Sequence, residues 1–513
     1  MVGWPALGEV VVYVVGVGVT TKRVLTNGVP REPLASSGPK AGAVRRAGYG
    51  ASGVGVGALG GRTRQLVLDT ALGCFAAEGF HQTVMEDIAA KAGVSRATLY
   101  QYFASKEAIF LELVEVGGGD FLVLAKSAGP FGGGAPGFEN LMAWVTAWSS
   151  EVNKYSALFV EWSNVNARKA SLRPRLAWFV ERHTSLWSKQ LAGSDLGIVS
   201  AETMAVLMLS VADRYNYMRL VYQPAASDAE LAQNLGLAFQ RVLFPADEAA
   251  SGRTNAKQVS LGSPNRKDPF NTDLALGSAP SAIPVGRNGK TTSKGSSVAE
   301  VSKRSDGSSE AGIDPFAGLT QQAKVTVRKL LDASGRVFAN NGYSGSNVDL
   351  IVGEAGLARG TFYKYFKERT QLLAILAQEC AASLVPALAE LGEVAMVLDS
   401  QERSARLRIL LDEFLRIQHL HSAVLRAWLE QHPNDPAVLA PYLHVRLQLR
   451  NTVAAMLGNA PADEQLHLEA AAMMFAALLE RFPEESTGTR FTLTDTQIIE
   501  AQALFLERAF FAC

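Results

Sequence analysis

The chain has 513 residues, 48% of them hydrophobic, and 49 lysines and arginines balance 49 aspartates and glutamates. That length points to more than one domain. Zero net charge excludes a chain that is basic throughout, so any nucleic-acid surface has to be a local patch. Cys74, Cys380 and Cys513 lie too far apart for a metal-ligand motif or a disulfide framework, which fits a reducing cytoplasm.

Residues 1–61 read as a disordered N-terminal extension. The apolar run EVVVYVVGVGV (9–19) is shorter than the ~20 residues needed to span a bilayer. It has no basic leader, and its Gly16 and Gly18 lack the third glycine of a dinucleotide loop. Helical periodicity begins at Arg62. The stretch RQLVLDTALGCFAAEGF places Leu68, Leu72 and Phe75 on one face and stops at Gly79. Thr83 is expected to cap the next helix, VMEDIAAKA, which would bury Val84, Ile88 and Ala92. Gly93 makes the turn, and Ser95 caps a third helix, RATLYQYF, with Leu99 and Phe103 inward. A supporting helix, a glycine turn and a helix with a polar outer face form a helix-turn-helix, whose second helix can enter a major groove. Arg96 is a candidate for a guanine contact, Thr98 for a base or phosphate, and Tyr100 and Tyr102 for phosphates. Lys106 places a positive charge beside the N-terminus of the following helix.

This head is expected over 62–116, and a helical body over 117–245. The body is rich in aromatics, among them Trp144, Trp148, Trp162, Trp178 and Tyr217. They read either as the wall of an effector pocket or as ordinary core and interface packing. Arg214 among them reads either as an anchor for an anionic ligand or as an ion-pair partner. Residues 246–319, rich in Ser, Gly, Pro, Asn and Lys, read as a disordered linker.

From residue 320 the chain repeats itself. TFYKYF (361–366) echoes TLYQYF (98–103), with Tyr100 and Tyr363 separated by 263 positions. Phe75, Gly79, Ile88, Gly93, Arg96, Thr98 and Phe103 then meet Phe338, Gly342, Ile351, Gly356, Arg359, Thr361 and Phe366. Further on, Trp162 meets Trp428 at an offset of 266, and Asp228 and Arg241 meet Asp495 and Arg508 at 267. A drift this small over a whole half indicates a duplicated all-α domain. The second head is expected over 320–380, with Ser346 as cap and Gly356 as turn. Its outer face carries Arg359, Gly360, Thr361, Tyr363, Lys364 and Tyr365, followed by Arg369. This head is the more basic, so it should hold phosphate more strongly and with more salt dependence. The second body, 381–513, has fewer aromatics, Trp428 among them. Its scattered histidines have no metal-ligand spacing. The last helices of each half have apolar faces wide enough for a four-helix interface between the two bodies.

GVSRATLYQYFASKEAIF and EAGLARGTFYKYFKERTQLL resemble the recognition helix and the helix after it in the TetR family of bacterial transcriptional repressors. The resemblance implies an all-α fold: two tandem domains, each a DNA-binding head on a helical body that binds an inducer and dimerises. It implies base-reading positions Arg96, Ala97, Thr98, Tyr100 and Gln101 in the first head, and Arg359, Gly360, Thr361, Tyr363 and Lys364 in the second. It implies phosphate positions Thr83, Tyr102 and Lys106, then Ser346, Tyr365 and Arg369. Glu368-Arg369-Thr370 replaces the Ser105-Lys106-Glu107 ending, which departs from the family's pattern at the fourth helix. The expected function is a cytoplasmic, sequence-specific transcriptional regulator that binds double-stranded DNA, a repressor released by a small effector. No cofactor, metal, membrane or enzymatic role is expected. The alternative is a helical ligand-binding or protein-interaction module that no longer touches DNA. A linker of roughly 70 residues spans about 45 Å, enough for two heads at major grooves about 34–36 Å apart. The chain could therefore act as an intramolecular pseudo-dimer or as a homodimer of chains.

Overall fold

The computed structural model describes residues 58–160, 173–245, 316, 318–429, 435–458, 466–483 and 492–511. Of the extension expected over 1–61, residues 1–57 lie outside these described residues and a helix already begins at Ala58; nearly all of the linker also lies outside them. The fold is all-α, with no strand among the described residues.

The first half runs α1 (Ala58–Glu78), α2 (Met85–Lys91), α3 (Arg96–Tyr102), α4 (Lys106–Ser127), α5 (Ala135–Lys154), α6 (Arg173–Gln190), α7 (Ala201–Tyr222) and α8 (Asp228–Leu243). The second half runs α9 (Gln321–Asn341), α10 (Val348–Ala355), α11 (Arg359–Tyr365), α12 (Arg369–Ala395), α13 (Ser400–Leu420), α14 (Ser422–Leu429), α15 (Pro436–Leu457), α16 (Leu468–Ala476) and α17 (Asp495–Leu506). Both α16 and α17 continue into one π-helical turn, Ala477–Arg481 and Glu507–Phe511.

The same local physics builds both heads. Phe75, Ile88, Leu99 and Phe103 are buried in the first, and Phe338, Ile351, Phe362 and Phe366 in the second. The turn after the supporting helix needs a left-handed residue, and Gly93 and Gly356 both sit at φ +65°. Val94 N–H then reaches back to Ala89 O (3.0 Å) and Leu357 N–H to Val352 O (2.9 Å), which closes the helix end.

The caps differ from the sequence expectation by one residue. Val84, not Thr83, precedes α2; it offers no side-chain bond and is 46% exposed rather than buried. Thr83 is fully buried, and its hydroxyl donates to Gly79 O at 2.9 Å. In the second head Asn347 is the cap, its Oδ1 accepting Leu350 N–H at 2.9 Å, whereas buried Ser346 donates to Gly342 O at 2.6 Å. Both hydroxyls turn back to satisfy a carbonyl at the end of the preceding helix, where carbonyls lack intrahelical partners. Neither is available to a phosphate.

In the bodies, α12 is long and apolar enough to cross a membrane, with a mean hydropathy of 1.8 over an 18-residue stretch. It is nevertheless a core helix, burying Leu372, Leu373, Leu388 and Leu391 against α13 and α15. The last two helices of each half open with matched capping boxes, Ser227/Glu230 before α8 and Thr494/Gln497 before α17. Helices α7 and α8 pack on α16, α17 and their π-helical turns.

Candidate nucleic-acid interface

Each recognition helix presents an outer face to solvent. Arg96, Ala97, Tyr100 and Gln101 are exposed on α3, and Arg359, Gly360, Tyr363 and Lys364 on α11, while Thr98 and Thr361 are half-buried. The arginines are held identically. Arg96 pairs with Glu86 (2.7 Å) and lies over the Tyr100 ring, 5.6 Å from its centroid. Arg359 pairs with Asp349 (2.7 Å) and lies 5.7 Å from the Tyr363 centroid. These pairs are open to water and weak, so they orient the guanidinium without preventing its transfer to a stronger acceptor. The two helices begin differently. Ser95 Oγ accepts Thr98 N–H at 3.0 Å, whereas Ala358 offers no side-chain cap.

Lys106 and Arg369 are not free phosphate ligands. Lys106 Nζ donates to three carbonyls, Phe80 (2.8 Å), His81 (2.9 Å) and Thr83 (3.0 Å), and sits over the Phe80 ring. Arg369 Nη1 donates to Tyr343 O (2.6 Å) and Ser346 O, and its guanidinium lies 4.2 Å from the Tyr343 centroid. At equivalent positions both cations strap the loop between the first two helices onto the start of the fourth. The Glu368 substitution does remove the fourth-helix cap: Ser105 accepts Ala108 N–H, but Glu368 makes no such bond. Tyr102 and Tyr365 are half-buried, packed against the core at the rim of the face.

A cavity of about 200 Å³ opens in the first body. Of the aromatic residues expected there, Trp148 and Tyr217 line it, together with Arg214. Trp144 is a core residue packed edge-to-face against Trp187 (4.2 Å), Trp178 is 43% exposed, and Trp162 lies outside the described residues. Trp428 belongs to the core of the second half, where its Nε1 donates to Val438 O at 3.0 Å. The wall also includes Phe121 and Gly118 on α4, Tyr155 at the end of α5, Phe179 and Thr184 on α6, and Arg481 of the second half. The glycine is required: a Cβ at Gly118 would meet the Phe179 ring at 2.6 Å. For the α4 wall the sequence signal was the Gly117-Gly118-Gly119 run inside an apolar helix, since glycine there is unfavourable without a packing reason.

Two sets of contacts join the halves reciprocally. At the offset that matches Arg241 with Arg508, Asp213-Arg214 matches Glu480-Arg481. Arg214 pairs with Glu480 (3.1 Å) and Arg481 with Asp213 (3.9 Å). Arg241 donates to Ala509 O (3.3 Å) and Arg508 to Val242 O (2.9 Å). Each half thus makes to the other the contact it receives, as in an interface built on a two-fold axis. Tyr222 and Tyr442 also meet, hydroxyl to hydroxyl, at 2.7 Å.

A family model described as bacterial regulatory proteins, tetR family, matches the chain twice, at residues 67–113 and 330–376. The transcriptional repressor AcnR of Corynebacterium diphtheriae is 29% identical over 140 residues, 26% of this chain and 70% of that protein. The regulator YfiR of Bacillus subtilis is 27% identical over 198 residues, 36% of this chain and 92% of its own length. Among solved structures, the fatty acid degradation regulator FadR of Bacillus halodurans has 18% identity and a TM-score of 0.30, covering 35% of this chain and 94% of that one. Both heads match the model of the tetR-family bacterial regulatory proteins, so the chain carries that family's helix-turn-helix module twice.

Proposed function

We propose that the chain is a repressor that reads one operator with both of its unlike heads, as an intramolecular pseudo-dimer, and is released by a small molecule in the first body. The observation that carries this reading is the reciprocal set of contacts between the halves. The surface that an ordinary two-chain regulator would offer to a second copy is here covered by the chain's own other half. Exposed Arg96, Ala97, Thr98, Tyr100 and Gln101 would read one half-site, and Arg359, Gly360, Thr361, Tyr363 and Lys364 the other. Tyr102 and Tyr365 would rest on phosphates. Since Ala97/Gln101 and Gly360/Lys364 differ, the half-sites differ. The named repressor among the relatives supports the sign of regulation.

Release follows from where the cavity lies. Its wall includes Asp213, Arg214 and Arg481, the same residues that join the halves. A ligand there would bias how the bodies pack, and with it the spacing of the heads. Two measurements test the reading. Gel shifts should favour an asymmetric site over both of its symmetrised versions, and sedimentation of the free protein should give the mass of one chain. Equal binding to all three sites, or a mass of two chains, contradicts it. A module that no longer binds DNA predicts that Arg96→Ala with Arg359→Ala leaves regulation unchanged.

A further inference from the structure

We propose that the first-half cavity takes a compact, electrically neutral ligand of one or two rings that carries a hydrogen-bond-accepting oxygen. This rests on the effector reading above and adds the chemistry of the ligand.

Size comes first. An apolar cavity of about 150 Å³ holds benzene, so about 200 Å³ holds a bicyclic molecule rather than a long acyl chain with a bulky head. The walls suit rings: Phe121, Trp148, Tyr155, Phe159 and Phe179 contribute aromatic faces and edges.

The unpartnered polar atoms in the wall are mostly donors, the exception being Nε2 of His183, whose Nδ1 bonds Phe179 O. Trp148 is 7% exposed and Thr184 fully buried, yet neither Trp148 Nε1 nor Thr184 Oγ1 has a hydrogen-bond partner. Arg214 Nε, also buried at the wall, lacks one too. Indole and guanidinium N–H groups can only donate, and buried donors left unpaired are costly. An oxygen acceptor on the ligand removes that cost.

Charge decides against an anion. The titratable groups lining the cavity are Tyr155, His183, Asp213, Arg214, Tyr217 and Arg481. The two arginines are matched by Asp213 and by Glu480, which stands behind Arg214. Burial lowers the His183 pKa, keeping its ring neutral near neutral pH, and Tyr155 Oη donates to Asp120 at 2.6 Å. Among the described residues the lining and Glu480 together therefore carry no net charge, and a carboxylate or phosphate ligand would bring an unbalanced buried charge. A neutral carbonyl or ether oxygen would not.

The test is calorimetric titration of the full chain, without DNA, with 1-tetralone, its hydrocarbon counterpart tetralin, and 1-naphthoate. Tetralone should bind about tenfold more tightly than either, as one or two recovered hydrogen bonds predict. Trp148→Phe and Thr184→Val should each weaken tetralone several-fold and leave tetralin unchanged, which separates a lost hydrogen bond from a damaged cavity. Tighter binding of naphthoate, equal binding of tetralone and tetralin, indifference of both variants, or no binding of any probe would overturn the proposal. Because no DNA is present, each of these results leaves the operator reading intact. Tetralone binding as expected by a protein that fails every operator test would overturn only that reading.

Discussion

In the first head Ser95 caps the recognition helix, and Ala97 and Gln101 stand on its outer face; in the second, Ala358 offers no cap, and Gly360 and Lys364 stand there instead. Beneath these differences the supports coincide. The arginine–carboxylate–tyrosine group recurs as Arg96/Glu86/Tyr100 and Arg359/Asp349/Tyr363. The loop strap recurs as Lys106 and Arg369. Groups that position the helix are kept in kind, and of the five positions that would meet bases Arg, Thr and Tyr recur while only Ala97/Gly360 and Gln101/Lys364 differ. This is what two heads need when they share one scaffold and face two sequences. The bodies contrast in the same way, with reciprocal contacts at the seam made at unequal depth.

The largest effect is expected at that seam. Arg214 and Glu480 are 6% and 18% exposed, so Arg214→Met leaves a nearly buried carboxylate unpaired. It should cost about 3 kcal/mol in urea unfolding. Arg481→Met, at the equivalent but longer and wetter pair, should cost about 1 kcal/mol or less. Equal losses would show that the halves do not differ there.

Next come the straps. Lys106→Met and Arg369→Met each strand carbonyls of the first loop and should cost about 2 kcal/mol. If these residues instead served as free phosphate ligands, operator affinity would fall with stability unchanged.

Each reading arginine separately should matter to one half-site. Arg96→Ala and Arg359→Ala should each lose about 1–3 kcal/mol of operator affinity and relax base preference on one side only. Footprints that loosen on the same side for both would break the assignment of heads to half-sites. A smaller effect follows from Lys364→Gln, which should lower the salt slope of binding by about 1 if that lysine neutralises a phosphate. Smallest are the caps. Ser95→Ala should destabilise by about 1 kcal/mol, and Ala358→Ser should stabilise the second head by a similar amount.

Much of this was legible from order alone. The periodicity of RQLVLDTALGCFAAEGF, the turn glycines and the colinear offsets reveal two helical halves with a helix-turn-helix at each front, because helix period and left-handed turns are local properties of the chain. Arg96, Tyr100, Arg359 and Tyr363 could be placed on an outer face for the same reason, since Leu99 and Phe362 between them had to be inside. What each polar group bonds to was not legible in that way. Thr83 and Ser346 turn inward and Lys106 and Arg369 reach across to a loop more than twenty residues upstream because packing brings open carbonyls within their reach. The cavity is still less local: α4, α5, α6 and α7 of one half and Arg481 of the other assemble it. A single period can say which side of a helix is apolar, but which distant side chain closes the space beside it depends on how whole helices pack, and that is decided only in three dimensions.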